Sequence, residues 1–127
     1  MRPGETDLSE LLRKMRPALD DRVFVFCPVD DATAARLAGR AVGLFREREG
    51  VTLILDERDA SGLPANGPWA LITLTVHSDL AAVGFLAAVT AKLAAAGVSA
   101  NAVSAYFHDH LFVPYADRNK ALAVLTQ

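Results

Sequence analysis

The sequence predicts an α+β fold in which antiparallel sheets carry helices on one face. Three observations support this prediction: runs that alternate apolar and polar residues, closely spaced pairs of such runs that suit hairpins, and segments with helical spacing of apolar residues. Residues 22–63 and residues 69–127 each give the order strand, helix, strand, strand, helix. The chain therefore repeats one architectural plan, without obvious residue identity between the two copies.

The first half begins with an amphipathic helix and continues as a small β-rich module. Thr6 or Asp7 caps the helix, whose apolar residues recur at helical spacing until it frays near Pro17. Residues 22–27 read as a strand that is buried on both faces and ended by Pro28. The later elements of this half are a short helical segment from Asp30 or Asp31 to Ala38, a hairpin of residues 42–47 and 51–56 with Gly50 in its turn, and a loop over residues 61–68.

The second half is organised around a strand and a long apolar helix. Residues 69–76 alternate with the period of a strand that packs one face on a core. Ser78 or Asp79 then caps a helix that we predict over residues 79–96. Lys92 is the only charged residue inside this helix, so we expect it to be covered on two sides. One side would lie on its own sheet, and the other would meet a second helix or another copy of the chain.

A second hairpin and a closing helix complete this half. The β-prone residues 102–107 and 110–113 flank His108-Asp109, which we place in the turn. Pro114 ends the last strand, and Asp117 caps the final helix.

Length and composition limit the classes of function. The chain has 127 residues, of which 52% are hydrophobic, so it suits one compact domain or two very small modules with a shared core. A formal net charge of -2 gives no electrostatic case for a nucleic-acid or membrane partner. The single cysteine, Cys27, excludes an intrachain disulfide, and neither a leader pattern nor a membrane-length apolar run is present. We therefore expect a cytoplasmic protein.

Four segments that are spread over nearly the whole chain carry a resemblance to a known family. They are GETDL (Gly4–Leu8), FREREGVTLIL (Phe45–Leu55), ITLTVHSDLAAVG (Ile72–Gly84) and YFHDHLFVP (Tyr106–Pro114). The chain resembles small bacterial proteins with two ACT domains in tandem, and more distantly the ACT modules of the CASTOR arginine sensors. The resemblance implies ferredoxin-like βαββαβ modules that bind a small-molecule ligand, most naturally an amino acid, and act as regulators.

The resemblance also shapes the expected domain organisation. A ferredoxin-like unit ends with a strand that each half of this chain lacks. The strand of residues 69–76 follows the first module directly and could close its sheet. We therefore divide the chain into an N-terminal helix (residues 1–21), a first, degenerate ACT-like module (residues 22–67) and a second module (residues 68–127) interlocked with the first. We expect a homodimer formed through the long apolar helix or through sheet edges.

The loop before the long helix is the first candidate site. A helix N-terminus offers free N–H groups and a partial positive charge, which suit the carboxylate of an amino acid. In ACT domains the equivalent turn makes backbone contacts with the ligand, and a Pro-Gly pair stands where this chain has Val83-Gly84. The alternative is that Ser78 and Asp79 are ordinary caps and that Gly84 only permits helix packing. The candidate ligand-binding residues of this loop are His77, Ser78, Asp79, Leu80, Val83 and Gly84.

The His108-Asp109-His110 hairpin is the second candidate. By resemblance to the CASTOR modules, Asp109 would receive the amino group of the ligand. We expect His108 to flank either the ligand groove or the dimer seam. Asn101 would face the same groove or serve as a turn residue. A metal site that includes His77 is the alternative, but two histidines that straddle a tight turn, without a Cys or Glu cluster, fit it poorly. We predict no metal and no cofactor.

The sequence offers no positive support for catalysis. No phosphate loop, carboxylate pair or nucleophile arrangement stands out. We therefore predict a regulatory protein without catalytic activity that binds an amino acid reversibly. A structural interaction module and a metal-binding protein are the two alternatives.

Overall fold

The computed structural model describes residues 4–127, which form two compact units. The terminal unit joins the described residues up to Asp21 to Ala70–Gln127, and the inserted unit is Arg22–Trp69. The named strands whose registers are resolved pair antiparallel, which confirms the predicted α+β class. Within residues 4–127, no helix combines the length and the apolar character that crossing a bilayer requires.

The helices and strands follow the predicted order with one added strand. This strand, β1, is only three residues long and pairs with the later part of β5, Pro17 opposite Leu74. In chain order the elements are α1 (Leu8–Lys14), β1 (Pro17–Leu19), β2 (Phe24–Val29), α2 (Asp31–Leu37), β3 (Gly43–Glu47), β4 (Gly50–Asp56), β5 (Asn66–Leu74), α3 (Phe85–Ala95), β6 (Asn101–Ser104), β7 (Asp109–Pro114) and α4 (Arg118–Leu125).

The terminal unit packs three helices on one face of its strands. In its sheet β7 lies between β5 and β6, and α3 packs against both α1 and α4. Alternate residues of β5 and β7 face this layer, as strand geometry requires. The buried side chains of this core are Leu11, Met15, Ala70, Ile72, Leu74, Phe85, Val89, Leu93, Val98, Leu111, Val113, Ala121 and Leu125.

The helix predicted over residues 79–96 begins later than expected. α3 starts at Phe85, directly after Gly84, whose φ of 89° belongs to the left-handed region that favours glycine. The Asp79 carboxylate accepts a hydrogen bond from Ala81 N at 2.8 Å and so forms a local turn. The predicted capping by Ser78 or Asp79 is therefore wrong, because neither residue stands next to the helix.

α3 meets a helix from the first half of the chain, as predicted, and cover by another copy of the chain stays a prediction. Its stripe of Phe85, Val89 and Leu93 is buried at the i, i+4, i+8 spacing of one helix face. α1 and α4 supply the second helix that was expected from the chain itself. On the other face Ala87 is exposed, and Val83, which precedes the helix, is 84% exposed.

The inserted unit places β2 between β4 and the first residues of β5, with β3 beyond β4. The Asp30 carboxylate accepts from Thr33 N at 2.8 Å and caps α2, as predicted. Pro28 does not end its strand, because β2 continues to Val29 and Pro28 lies opposite Thr52. The predicted loop over residues 61–68 is too long, since β5 already begins at Asn66. The buried core of this unit consists of Val25, Cys27, Ala34, Leu37, Val51, Leu53, Leu55 and Ala60.

Two further local predictions need correction. The second hairpin turns two residues earlier than expected, at Tyr106-Phe107, since Ala105 N donates to His108 O at 3.0 Å and β7 already begins at Asp109. Asp117 precedes α4 as predicted, but its side chain makes no capping bond to any described residue.

Candidate functional site

A main-chain bracket in the terminal unit holds the residues that the sequence proposed as a ligand loop. Glu5 N donates to His77 O at 2.8 Å, and Asp79 N donates to Glu5 O at 2.9 Å. Glu5 thus forms an isolated parallel bridge with Ser78. Both groups of the bracket, the His77 carbonyl and the Asp79 N–H, are bonded to the backbone of a single residue.

Gly4 explains why the chain can approach this loop so closely. A Cβ atom at position 4 would lie 2.5 Å from Asp79 N and 2.6 Å from the carbonyl carbon of Ser78. Such distances are far inside van der Waals contact, so no other residue fits at this position without moving the backbone. The N-terminal segment of residues 4–7 was outside the predicted site. Its only sequence signal was the GETDL resemblance, which gave no position in space.

Asp109 lies next to the same loop, but its carboxylate is already engaged. The residue is only 7% exposed, and its two oxygens accept from Ser78 Oγ at 3.3 Å and from Ser104 Oγ at 2.5 Å. The carboxylate therefore joins the ligand loop to the β6–β7 hairpin. Ser104 was not among the predicted site residues, although it lies opposite Asp109 in the register of that hairpin.

An aromatic cluster of His77, Tyr106 and Phe107 covers the end of this hairpin. The His77 ring centroid lies 5.8 Å from that of Tyr106 and 5.6 Å from that of Phe107, and the last two are 5.1 Å apart. Tyr106 is 46% exposed and Phe107 is 51% exposed. The cluster offers a partly exposed apolar surface directly beside the bracket, because His77 belongs to both.

The remaining loop residues are open to solvent. Leu80 is 65% exposed, and Gly84 lies against Leu8, whose Cδ2 would be 3.6 Å from an added Cβ. The first helical bond of α3 runs from Ala88 N to Gly84 O at 2.9 Å. The N–H groups of the three preceding residues, 85–87, have no acceptor inside the helix, and the partial positive charge of this helix end favours an anion.

Among residues 4–127, the structure records no hydrogen bond between Asn101 or His108 and the bracket residues. Asn101 is opposite Phe112, at the far end of the β6–β7 ladder from the Ser104–Asp109 pair. Asn101 is three steps along the strand from Ser104, which corresponds to about 10 Å. His108 lies in the hairpin turn, and its ring packs near His110, with the centroids 6.3 Å apart.

The histidines of the hairpin give no support to a metal site. His110 Nδ1 lies 2.9 Å from Thr73 Oγ1, and burial lowers the pKa of His110, assisted by the charge of His108 and opposed by that of Asp109. Among residues 4–127, no group of three or more His, Cys, Asp or Glu side chains is arranged to hold a metal ion. The metal-binding alternative therefore has no ligand set in the part of the chain that the structure describes.

The inserted unit has a cleft of its own. It lies after the first strand of that unit and beside its hairpin, as the ligand loop lies after β5 and beside the β6–β7 hairpin in the terminal unit. The cleft has a volume of about 520 Å³ and is lined by Pro28, Val29, Asp30, Asp31, Glu47, Glu49, Gly50, Val51 and Thr52. Four of these residues are acidic. Asp30 is already used as a helix cap, and the Thr52 hydroxyl donates to Glu47 Oε1 at 2.5 Å.

Comparisons with known proteins agree with this architecture. A family model described as an ACT domain matches residues 3–68, and a second ACT-domain model matches residues 67–127. None of the curated proteins matches the chain.

Several solved structures resemble the chain over most of its length. It is 43% identical to a Vibrio cholerae protein of unknown function, described as a possible transport protein, with a TM-score of 0.82 and 91% of each chain covered. A protein from Agrobacterium tumefaciens is 18% identical, with a TM-score of 0.72 over 88% of this chain and 87% of that one.

The regulatory subunit of aspartate kinase from Thermus flavus is 13% identical, with a TM-score of 0.67 over 88% of this chain and 95% of that one. The second and third of these likenesses concern the fold alone. The two family matches together span the whole described chain and confirm the resemblance found in the sequence. The protein therefore belongs to the ACT-domain family and carries two ACT domains in tandem.

Proposed function

We propose that this protein is a regulatory sensor that binds a free α-amino acid at the main-chain bracket of its terminal unit. Its membership of the ACT-domain family supports a regulatory, ligand-binding role. The observation that carries the choice of ligand is the bracket itself. The His77 carbonyl and the Asp79 N–H hold the N–H and the carbonyl of one residue, Glu5, at 2.8 and 2.9 Å.

A free amino acid carries the same two groups on one Cα, but with full charges. Its ammonium group would donate to the His77 carbonyl, and its carboxylate would accept from Asp79 N–H. Hydrogen bonds to charged groups are stronger than those between neutral amides, so the free ligand has an electrostatic advantage over a peptide group. The first turn of α3, at the end of the same loop, has no side-chain cap, and its partial positive charge favours an anion.

The surroundings of the bracket suit a ligand side chain that is at least partly apolar. His77, Tyr106 and Phe107 present a half-exposed aromatic surface on one side of the loop. Leu80 and Val83 are exposed in the same loop. Ligand contact would bury this surface and stabilise the bound conformation relative to the free one, which is the only way in which a ligand shifts an equilibrium.

A thermal-shift screen of the twenty standard amino acids on chelator-treated protein tests the proposal. A ligand present at one hundred times its Kd should stabilise the fold by about 2.7 kcal/mol, which corresponds to a rise in Tm of roughly 10 °C for a chain of this size. Asn101→Ala serves as the control, because Asn101 is exposed and lies at the far end of the β6–β7 ladder. The absence of any shift with all twenty amino acids would contradict the proposal and favour a structural interaction module.

Four finer points of the sequence reading stay predictions. They are the interlocking of the two modules, the homodimer, the cytoplasmic location and the absence of catalysis. Size measurement in solution tests the dimer directly.

A further inference from the structure

We propose that the N-terminal segment of residues 4–7 is an intramolecular strap that occupies the bracket until an amino acid displaces it. The inference rests on the proposed function, because it concerns the same site. Glu5 acts as a built-in surrogate of the ligand, since its own N–H and carbonyl bond to His77 O and Asp79 N. The unliganded protein is therefore held in a self-occupied state.

The strap can be released from the bracket while the rest of the terminal unit stays folded. Residues 5–7 are exposed, and two main-chain hydrogen bonds join Glu5 to the loop. α1 has its own N-cap, because the Asp7 carboxylate accepts from Glu10 N at 3.0 Å. The helix is anchored further along by Leu11, which is fully buried in the core. Release of residues 4–6 therefore leaves both the cap and the anchor of α1 in place.

Gly4 is the feature that makes docking of the strap specific. Its backbone lies so close to Ser78 and Asp79 that a Cβ would approach Asp79 N to 2.5 Å. A helix that only needed a leading peptide would tolerate any residue four positions before its first turn. The close approach serves the docked strap alone, so substitution at position 4 selectively favours the released state.

Competition of this kind lowers the apparent affinity in a calculable way. The observed Kd equals the intrinsic Kd divided by the fraction of molecules with an open bracket. A strap that is docked for about 90% of the time weakens apparent binding roughly tenfold. Opening the strap by mutation should recover that factor.

Two variants and a matched control test the inference on the full chain. Gly4→Val expels the strap by steric conflict, and Glu5→Pro removes the donor of the bond to His77 O. Glu5→Gln alters only an exposed side chain and keeps both main-chain bonds. Amide hydrogen exchange of Asp79 reports whether the bracket is open, and titration with each of the twenty standard amino acids reports the half-saturating concentration. Circular dichroism checks that each variant is folded, and Glu5→Pro stands in if Gly4→Val is not.

The expected result is about tenfold faster exchange at Asp79 in both strap variants, with exchange at Leu111 unchanged. The half-saturating concentration of the bound amino acid should fall by roughly tenfold in both and stay unchanged in Glu5→Gln. Equal half-saturation in wild type and strap variants would overturn the strap while leaving the sensor proposal intact. No binding by the wild type or by any variant would overturn the sensor proposal and the strap with it.

Discussion

Replacing Asp109 by alanine tests whether its carboxylate joins the ligand loop to the β6–β7 hairpin. The substitution removes the acceptor of two hydroxyl groups, Ser78 Oγ at 3.3 Å and Ser104 Oγ at 2.5 Å. Hydrogen bonds to a charged acceptor contribute about 1.5–3 kcal/mol each, and the longer of these two lies at the weak end. We therefore expect Asp109→Ala to lower the free energy of unfolding by about 3 kcal/mol, or Tm by roughly 10 °C.

Urea denaturation of Asp109→Ala, Asp109→Asn and a control provides the measurement. Asn keeps one oxygen acceptor and an amide that a serine hydroxyl can accept from, so it should lose only about 1 kcal/mol. Asp117→Ala is the matched control, because Asp117 precedes a helix without making a capping bond to any described residue. Its cost should stay within about 0.5 kcal/mol. If Asp109→Ala were as mild as Asp117→Ala, the argument that this carboxylate fixes the loop would be refuted.

Three further predictions concern a backbone conformation, a titration and a helix cap. Gly84→Ala should destabilise the fold by about 1 kcal/mol through the positive φ at this position alone, because Leu8 leaves room for the Cβ. Gly84→Leu should abolish the amino-acid-induced shift in Tm. An unchanged shift would show that Gly84 is not part of the site. Burial, then the charge of His108, lower the pKa of His110 in the folded state below 6.5, so the unfolded chain binds this proton more tightly. The free energy of unfolding should therefore be highest above about pH 6.5 and decrease as the pH falls below that value. If His110→Asn showed the same dependence of unfolding free energy on pH as the wild type, this assignment would be wrong. Asp30→Ala should cost about 1 kcal/mol by urea denaturation through loss of the bond from Thr33 N, and no loss would mean that the cap is not formed in solution.

Local signals in the sequence predicted the elements whose causes are local. The cap at Asp7, the cap at Asp30 and the hairpin around Gly50 each depend on residues a few positions apart, and each is present. β1 was missed because three residues give no periodicity, and its existence depends on a partner strand far along the chain. The start of α3 was misplaced because the alanine-rich residues before it have high helix propensity. The turn at Asp79 and the left-handed Gly84 outweigh that propensity.

The site was predictable in its parts but not in its assembly. His77 and Asp79 were named from their position before a helix, and Asp109 from the hairpin. The structure brings all three to one corner of the terminal unit. Glu5 could not be predicted from the sequence as the partner of the bracket, because hydrogen bonds between main-chain groups do not depend on a recognisable pattern of side chains. The distance of Asn101 from the turn could not be predicted either, because it depends on the register of the β6–β7 ladder.

The terminal unit draws on both ends of the described chain, and this has a consequence for biosynthesis. The inserted unit is contiguous, so all of its residues are translated before the second and larger segment of the terminal unit, Ala70–Gln127. α1 and β1 emerge first, yet the strands and helices that cover Leu11 and Met15 arrive last. The apolar face of α1 therefore stays unburied until these later elements have been synthesised. During that interval a chaperone could bind it.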